Sequence, residues 1–216
     1  FTAAYDRGAS FNITADHDAD FSHRLDLDAA MAELEKLYGG LNGFLTIKGS
    51  EITSGAHMLA YNADKVYPHA QTAEEYQAII DDANKSGALT FLAHPFYSPF
   101  LYPGLQEAPA RIDVLTGFTG LEIANGGPGF GTRTATTPTI TTMALEFWDR
   151  MNIKGEKKYF GSGGSDAHRS SGITRTTTHV LIDSLTEEAV LSAMGAGRFY
   201  VSDGPTMRFT VNGATF

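Results

Sequence analysis

The sequence predicts an α/β fold built on a parallel sheet. Three observations point to it. Short apolar runs of strand length alternate with amphipathic helical segments along most of the chain. Glycine, proline and N-cap signals separate them. Histidines and carboxylates also gather just past the ends of the apolar runs, and in a parallel barrel those ends form one face, where sites are built from several loops.

Taken in order, residues 2–7 read as the end of a helix closed by Gly8. Residues 10–14 read as a strand, with Asp16, His17 and Asp18 at its end. Residues 26–38 form an amphipathic helix, with Leu27, Met31, Leu34 and Leu37 at helical spacing and Gly39 and Gly40 as its stop. A strand over 43–48 leads to Gly49, Ser50 and Glu51, and a short strand over 56–61 contains His57. A helix over 72–86 starts on a capping box, Thr72 with Glu75, and ends at Gly87. The strand over 88–92 runs into Ala93-His94-Pro95.

A loop over 96–109, rich in proline and aromatic residues, is long enough to be functional. Phe96, Tyr97, Phe100 and Tyr102 in it are candidates for a pocket wall, with core packing or an oligomer contact as the other readings. A helix around 110–116 precedes the strand 120–124. The threonine-rich stretch 129–137 reads as a surface loop, and Pro138 opens a helix to about 151, with Trp148, Leu145 and Met151 as its core face. The run 158–160 ends a strand that enters Gly161-Ser-Gly-Gly-Ser-Asp166-Ala-His168-Arg169. A strand over 178–182, a helix over 186–196 with Thr186 as N-cap, and strands over 198–201 and 207–211 complete the chain.

Composition narrows the function. The 216 residues form one domain able to bury a substantial core, and 42% hydrophobic with 19% charged residues fits a globular protein. No apolar run is long enough for a membrane span. The net charge of -9 argues against passive binding of a nucleic-acid backbone, but not against a phosphorylated substrate whose charge is met by bound cations. There is no cysteine, so any metal must be held by His, Asp and Glu. Cysteine absence fits both the cytoplasm and export. No signal peptide is visible, and the opening at Phe1 without a Met is expected of a trimmed piece of a longer protein.

The candidates for chemistry are Asp16, His17, Glu51, His57, His94, Asp166 and His168. Each has a plainer reading: a helix-entry turn, a solvated carboxylate, a strand residue facing water, a loop. Their shared position at strand ends favours a common site, because so many polar groups packed together need cations to be tolerable. A His and carboxylate set of this kind suits metal-assisted hydrolysis with ions about 3.5–4 Å apart. Histidine donors suit zinc, manganese or iron better than calcium. Glu51, with two oxygens, suits a bridging position. Arg169 reads either as a phosphate clamp or as a surface residue, and Arg133 and Arg175 are weaker versions of the same idea. The glycines at 126–129 lack the lysine and helix start of a phosphate loop, and His23, His69 and His179 lack motif context.

Thr14-Ala-Asp16-His17-Asp18, Gly49-Ser-Glu51 with His57, Ala93-His94-Pro95, Gly120-Leu-Glu122 and Gly164-Ser-Asp166-Ala-His168 together resemble the successive motifs of the PHP (polymerase and histidinol phosphatase) superfamily. The ending Gly197-Arg-Phe-Tyr-Val-Ser-Asp203-Gly204-Pro205 resembles its CehA/McbA-like branch. The resemblance spans nearly the whole chain. It implies a PHP-type distorted (β/α)7 barrel, two or three divalent ions (Zn, Mn or Fe) and phosphoesterase activity on a small molecule. It further implies His17, Glu51, His57, His94, Asp166 and His168 as metal ligands; Glu122 also matches a family position, and we read it as structural or as lying behind the direct ligands. The family's first strand carries a His-x-His pair, and none precedes His17, so the barrel is expected to lack its first strand in this chain. Hydrolysis of non-phosphate esters, amides or carbamates, and a catalytically silent metal-binding module, are the other functions compatible with this pattern.

Overall fold

The computed structural model describes residues 1–17, 27–53, 57–63, 65–68, 70, 72–96, 114–126, 140–155, 157–173, 176–208, 210–211 and 214–215. Its helices are α1 (Thr2–Tyr5), α2 (Leu27–Tyr38), α3 (Ala73–Lys85), α4 (Ile140–Lys154) and α5 (Glu187–Gly195). Its strands are β1 (Phe11–Ile13), β2 (Asp16–His17), β3 (Leu45–Ile47), β4 (Gly49–Ile52), β5 (Met58–Tyr61), β6 (Leu89–Leu92), β7 (Gly120–Asn125), β8 (Phe160–Gly164), β9 (Thr177–Val180), β10 (Phe199–Ser202), β11 (Thr210–Val211) and β12 (Ala214–Thr215). The proline- and aromatic-rich loop beyond Phe96, most of the expected helix at 110–116, the threonine-rich stretch 129–137, Asp18, Arg133, Arg175, His23 and His69 lie outside the described residues.

The central sheet has six strands in the order β2-β4-β5-β6-β7-β8. It is mostly parallel: β2 with β4, β6 with β7 and β7 with β8. The expectation of a fully parallel sheet needs correcting at β5, which is antiparallel to both β4 and β6. Five residues separate Ile52 from Met58. A parallel crossover needs a dozen or more, so this connection can only reverse the chain. The return through α3 then restores the direction of β4 in β6. Among the described residues no sheet closes on itself. β1 pairs with β3 in a separate parallel ribbon, so the strands expected at 10–14 and 43–48 are present there, and the site residues expected just past their ends lie instead in further strands, β2 and β4. β10 pairs antiparallel with β9, and β11 with β12.

Side chains alternate across the sheet. Met58 and Ala60 of β5 join the cluster under α3 and α4, where Tyr76, Ile79, Ile80, Ala83, Phe118, Leu121 and Phe147 are buried. Leu59 points the other way, to Ile47, Phe91, Val190 and Met194 under α5. Helix α3 shows why these segments form. Tyr76, Ile79, Ile80 and Ala83 place its buried stripe at helical spacing. Both halves of the Thr72/Glu75 capping box are made, at 3.2 and 3.0 Å. Gly87, at φ +79°, takes the left-handed turn that follows the helix. In α4, Trp148 packs on the core and its Nε1–H donates to the Tyr159 carbonyl at 2.7 Å, but Leu145, expected on the core face, is 41% exposed. No helix among the described residues is long and apolar enough to cross a membrane.

Five of the six strands run one way, so the C-terminal ends of β2, β4, β6, β7 and β8 meet at one sheet margin, and β5 brings its N-terminal end there.

Candidate metal centre

That margin gathers the chemistry. His17 in β2 lies in register with Glu51 in β4. His57 immediately precedes β5 and accepts from Ala93 N through its carbonyl at 3.0 Å, which seats it beside the end of β6. His94 follows β6, and Asp166 follows β8.

Glu51 is the hub. Its side chain is 6% exposed. Oε1 lies 2.7 Å from His57 Nδ1 and 3.3 Å from His94 Nε2, and Oε2 lies 3.3 Å from His17 Nε2. Burial opposes ionisation of this carboxyl, but the three imidazoles outweigh it and hold Glu51 far below the usual carboxylate range. An ionised carboxylate only accepts, so His57 donates to it through Nδ1–H. His94 is disfavoured as a cation by burial, yet Glu51 and Glu122 raise its pKa. The rings crowd together: His57 and His94 have centroids 4.8 Å apart, His17 and His57 6.2 Å.

Glu51, His57 and His94 each offer one ligand atom, all within 4.8 Å of one another. One buried carboxylate with neutral imidazoles is a donor set that fits a borderline divalent cation such as zinc, manganese or iron. The residues present therefore fit the metal that the motif pattern implies.

Asp166 and His168 follow β8, the strand at the other edge of the six-stranded sheet from β2. His168 is exposed and its ring is 5.2 Å from that of His17. Its Nδ1 is 3.1 Å from the Asp166 carbonyl oxygen. Asp166 accepts from Asn125 Nδ2 at 3.3 Å, and the same amide donates to Glu122 Oε2 at 3.0 Å. Glu122 Oε2 also accepts from the His94 backbone N–H at 2.8 Å. Burial pushes the Glu122 carboxyl up to about 7. A cleft of about 2000 Å³ runs past this assembly, lined by His17, Glu51, His94, Asp166, His168 and Arg169, with Arg169 exposed. Asp16 lines it too but is exposed, with its backbone in register with Ser50 of β4.

No family model and no curated protein matches the chain. Among solved structures, its fold is similar to that of a two-domain protein from Bacteroides vulgatus described as containing a predicted PHP-like metal-dependent phosphoesterase. The TM-score is 0.59 at 19% identity, over 93% of this chain and 58% of that one. The chain thus spans somewhat over half the length of that neighbour, and the likeness is one of fold.

The structure brings together four of the six expected ligands, His17, Glu51, His57 and His94, around one carboxylate. Asp166 and His168 line the same cleft. Sequence reasoning missed Asn125. A residue three positions from Glu122 on a regular strand faces away from it. In β7 the register slips between Glu122 and Ala124, and this bulge turns both side chains to one side. Nothing in the sequence marks a bulge there. His179 does not join the cluster; its ring stacks on Tyr200 at 4.6 Å.

Proposed function

We propose that this chain is a metal-dependent hydrolase of phosphate esters, with His17, Glu51, His57, His94, Asp166 and His168 as ligands to two or three divalent ions (Zn, Mn or Fe). The observation that carries the reading is the buried Glu51 carboxylate facing three imidazoles at 2.7–3.3 Å. When bound, such ions acidify a water and act as Lewis acids toward the ester oxygen. The two oxygens of Glu51 face different histidines, which suits a bridging position. Asp166 and His168 would close the site from the β8 side. Arg169, exposed on the cleft beside His168, would hold a substrate phosphate oxygen. The fold likeness supports a PHP-type (β/α)7 barrel with phosphoesterase chemistry, and the order of the motifs is our ground for the CehA/McbA-like branch. The substrate is a small molecule.

The test is metal analysis of the purified protein, followed by assays of an aryl phosphomonoester, an aryl phosphodiester and an aryl carboxylate ester with Mn²⁺ or Zn²⁺. Phosphate-ester turnover that Asp166→Ala abolishes without loss of fold is expected. Turnover of the carboxylate ester alone would move the assignment to the non-phosphate hydrolases. Bound metal without any turnover would favour the silent module.

A further inference from the structure

Three non-glycine residues among those described have positive φ: Asn62, His94 and Asp166. Asn is frequent in that region because its short polar side chain bonds locally. The other two, at φ +24° and +50°, both stand at the candidate metal centre, on different loops, 72 positions apart in sequence. One pair of side chains touches both. Glu122 Oε2 takes the His94 backbone N–H at 2.8 Å, and Asn125 Nδ2 links that same oxygen to Asp166 Oδ2 at 3.3 Å. Glu122 and Asn125 are both buried, at 6% and 7% exposure. They meet only because the β7 bulge cancels the alternation that would send them to opposite faces.

We propose that Glu122 and Asn125 are positioning residues, forming a brace that fixes the left-handed backbones of His94 and Asp166 so that both side chains are held at the candidate metal centre. The proposal rests on the metal-centre reading above. Glu122 sets His94 by capturing its N–H. Asn125 carries both donor bonds on one amide, so it ties the loop after β6 to the loop after β8 across β7. The bulge is what makes this link, and a regular strand at 122–125 would lose it.

Two readouts separate the brace from the metal-centre reading. The first is amide hydrogen exchange by NMR on the full chain without metal. In Glu122→Ala the His94 amide should exchange at least about tenfold faster than in the wild type, while Glu122→Gln, which keeps an acceptor oxygen, should retain the protection. An unchanged His94 rate in Glu122→Ala overturns the brace. The second is calorimetric titration with Mn²⁺. Asn125→Leu nearly keeps the side-chain shape, stays neutral and loses the donor, and should bind Mn²⁺ about 10–100-fold more weakly, as Asn125→Ala should. A merely packing role would leave Asn125→Leu like the wild type, and Mn²⁺ affinity within twofold of wild type in that variant overturns the proposal. Wild-type protein that takes up no divalent ion would overturn the metal-centre reading, and the metal-free exchange experiment would still decide the brace.

Discussion

Replacing Glu51 by glutamine separates what this carboxylate does for the fold from what it does for a cation. In the metal-free protein the substitution gives up a charged hydrogen bond to His57 at 2.7 Å, worth about 1.5–3 kcal/mol. It also relieves the cost of holding an ionised carboxylate in a buried position, which is several kcal/mol after relaxation. The two effects offset, so metal-free stability should change by no more than about 2 kcal/mol in either direction. On the proposed reading cation binding has no such offset, since losing a direct ligand exceeds the 10–100-fold that outer partners cost. With Mn²⁺ at one hundred times its Kd, the wild type should gain about 2.7 kcal/mol. A chain of 216 residues unfolds with an entropy of about 0.45 kcal/mol/K, so this appears as a Tm rise of about 6 °C. At the same Mn²⁺ concentration a hundredfold weaker site yields about 0.4 kcal/mol, or about 1 °C. Thermal melts of both proteins with and without Mn²⁺, followed by circular dichroism, measure the difference. A Glu51→Gln variant that keeps the full rise refutes Glu51 as a ligand. A wild type with no rise in Mn²⁺, Zn²⁺ or Fe²⁺ refutes the metal centre itself.

Arg169→Ala should raise KM for an anionic phosphodiester about tenfold and leave kcat within about twofold, because the contact serves substrate and transition state alike; equal kinetics in the variant remove the clamp assignment. Phe118→Ala tests the scaffold: the ring is fully buried and stacks on Tyr159 at 4.4 Å, so its loss should cost about 3–5 kcal/mol and lower Tm by about 7–11 °C, and a fall below about 2 °C in a thermal melt would show that the cluster under α3 and α4 collapses around the gap.

What was legible in the chain follows the range of the interactions involved. The helices α3 and α5 could be read with their caps, because Thr72, Glu75 and Thr186 act within one turn of the positions they mark. His17, Glu51 and His94 could be grouped because strand ends of one direction share a margin. The direction of β5 could not be read from its apolar residues, which look alike in either sense. Yet the five residues between Ile52 and Met58 exclude a parallel crossover, so loop length held the answer that the alternation of strands and helices obscured. The same reversal explains why His57, at the start of a strand rather than its end, belongs to the cluster. The brace of Glu122 and Asn125 was beyond reach, since it depends on a register slip between two strands that no local pattern encodes.

The acidity of the whole molecule, taken alone, opposes an anionic substrate, and distance resolves this. At physiological ionic strength the screening length is about 8 Å, so most of the net charge of -9 is invisible from within the cleft. Nearby charges decide instead. Glu51 stands ionised at the hub, while burial leaves Glu122 far easier to protonate. Among the described residues lining the cleft, Arg7 and Arg169 are the side chains with fixed positive charge. On the proposed reading, an approaching phosphate meets an ionised hub that must be neutralised by cations before it attracts anions, with Arg169 next to His168 as the protein's own contribution. Activity should therefore track cation loading far more steeply than salt, whereas an enzyme relying on surface charge for steering would show the reverse order.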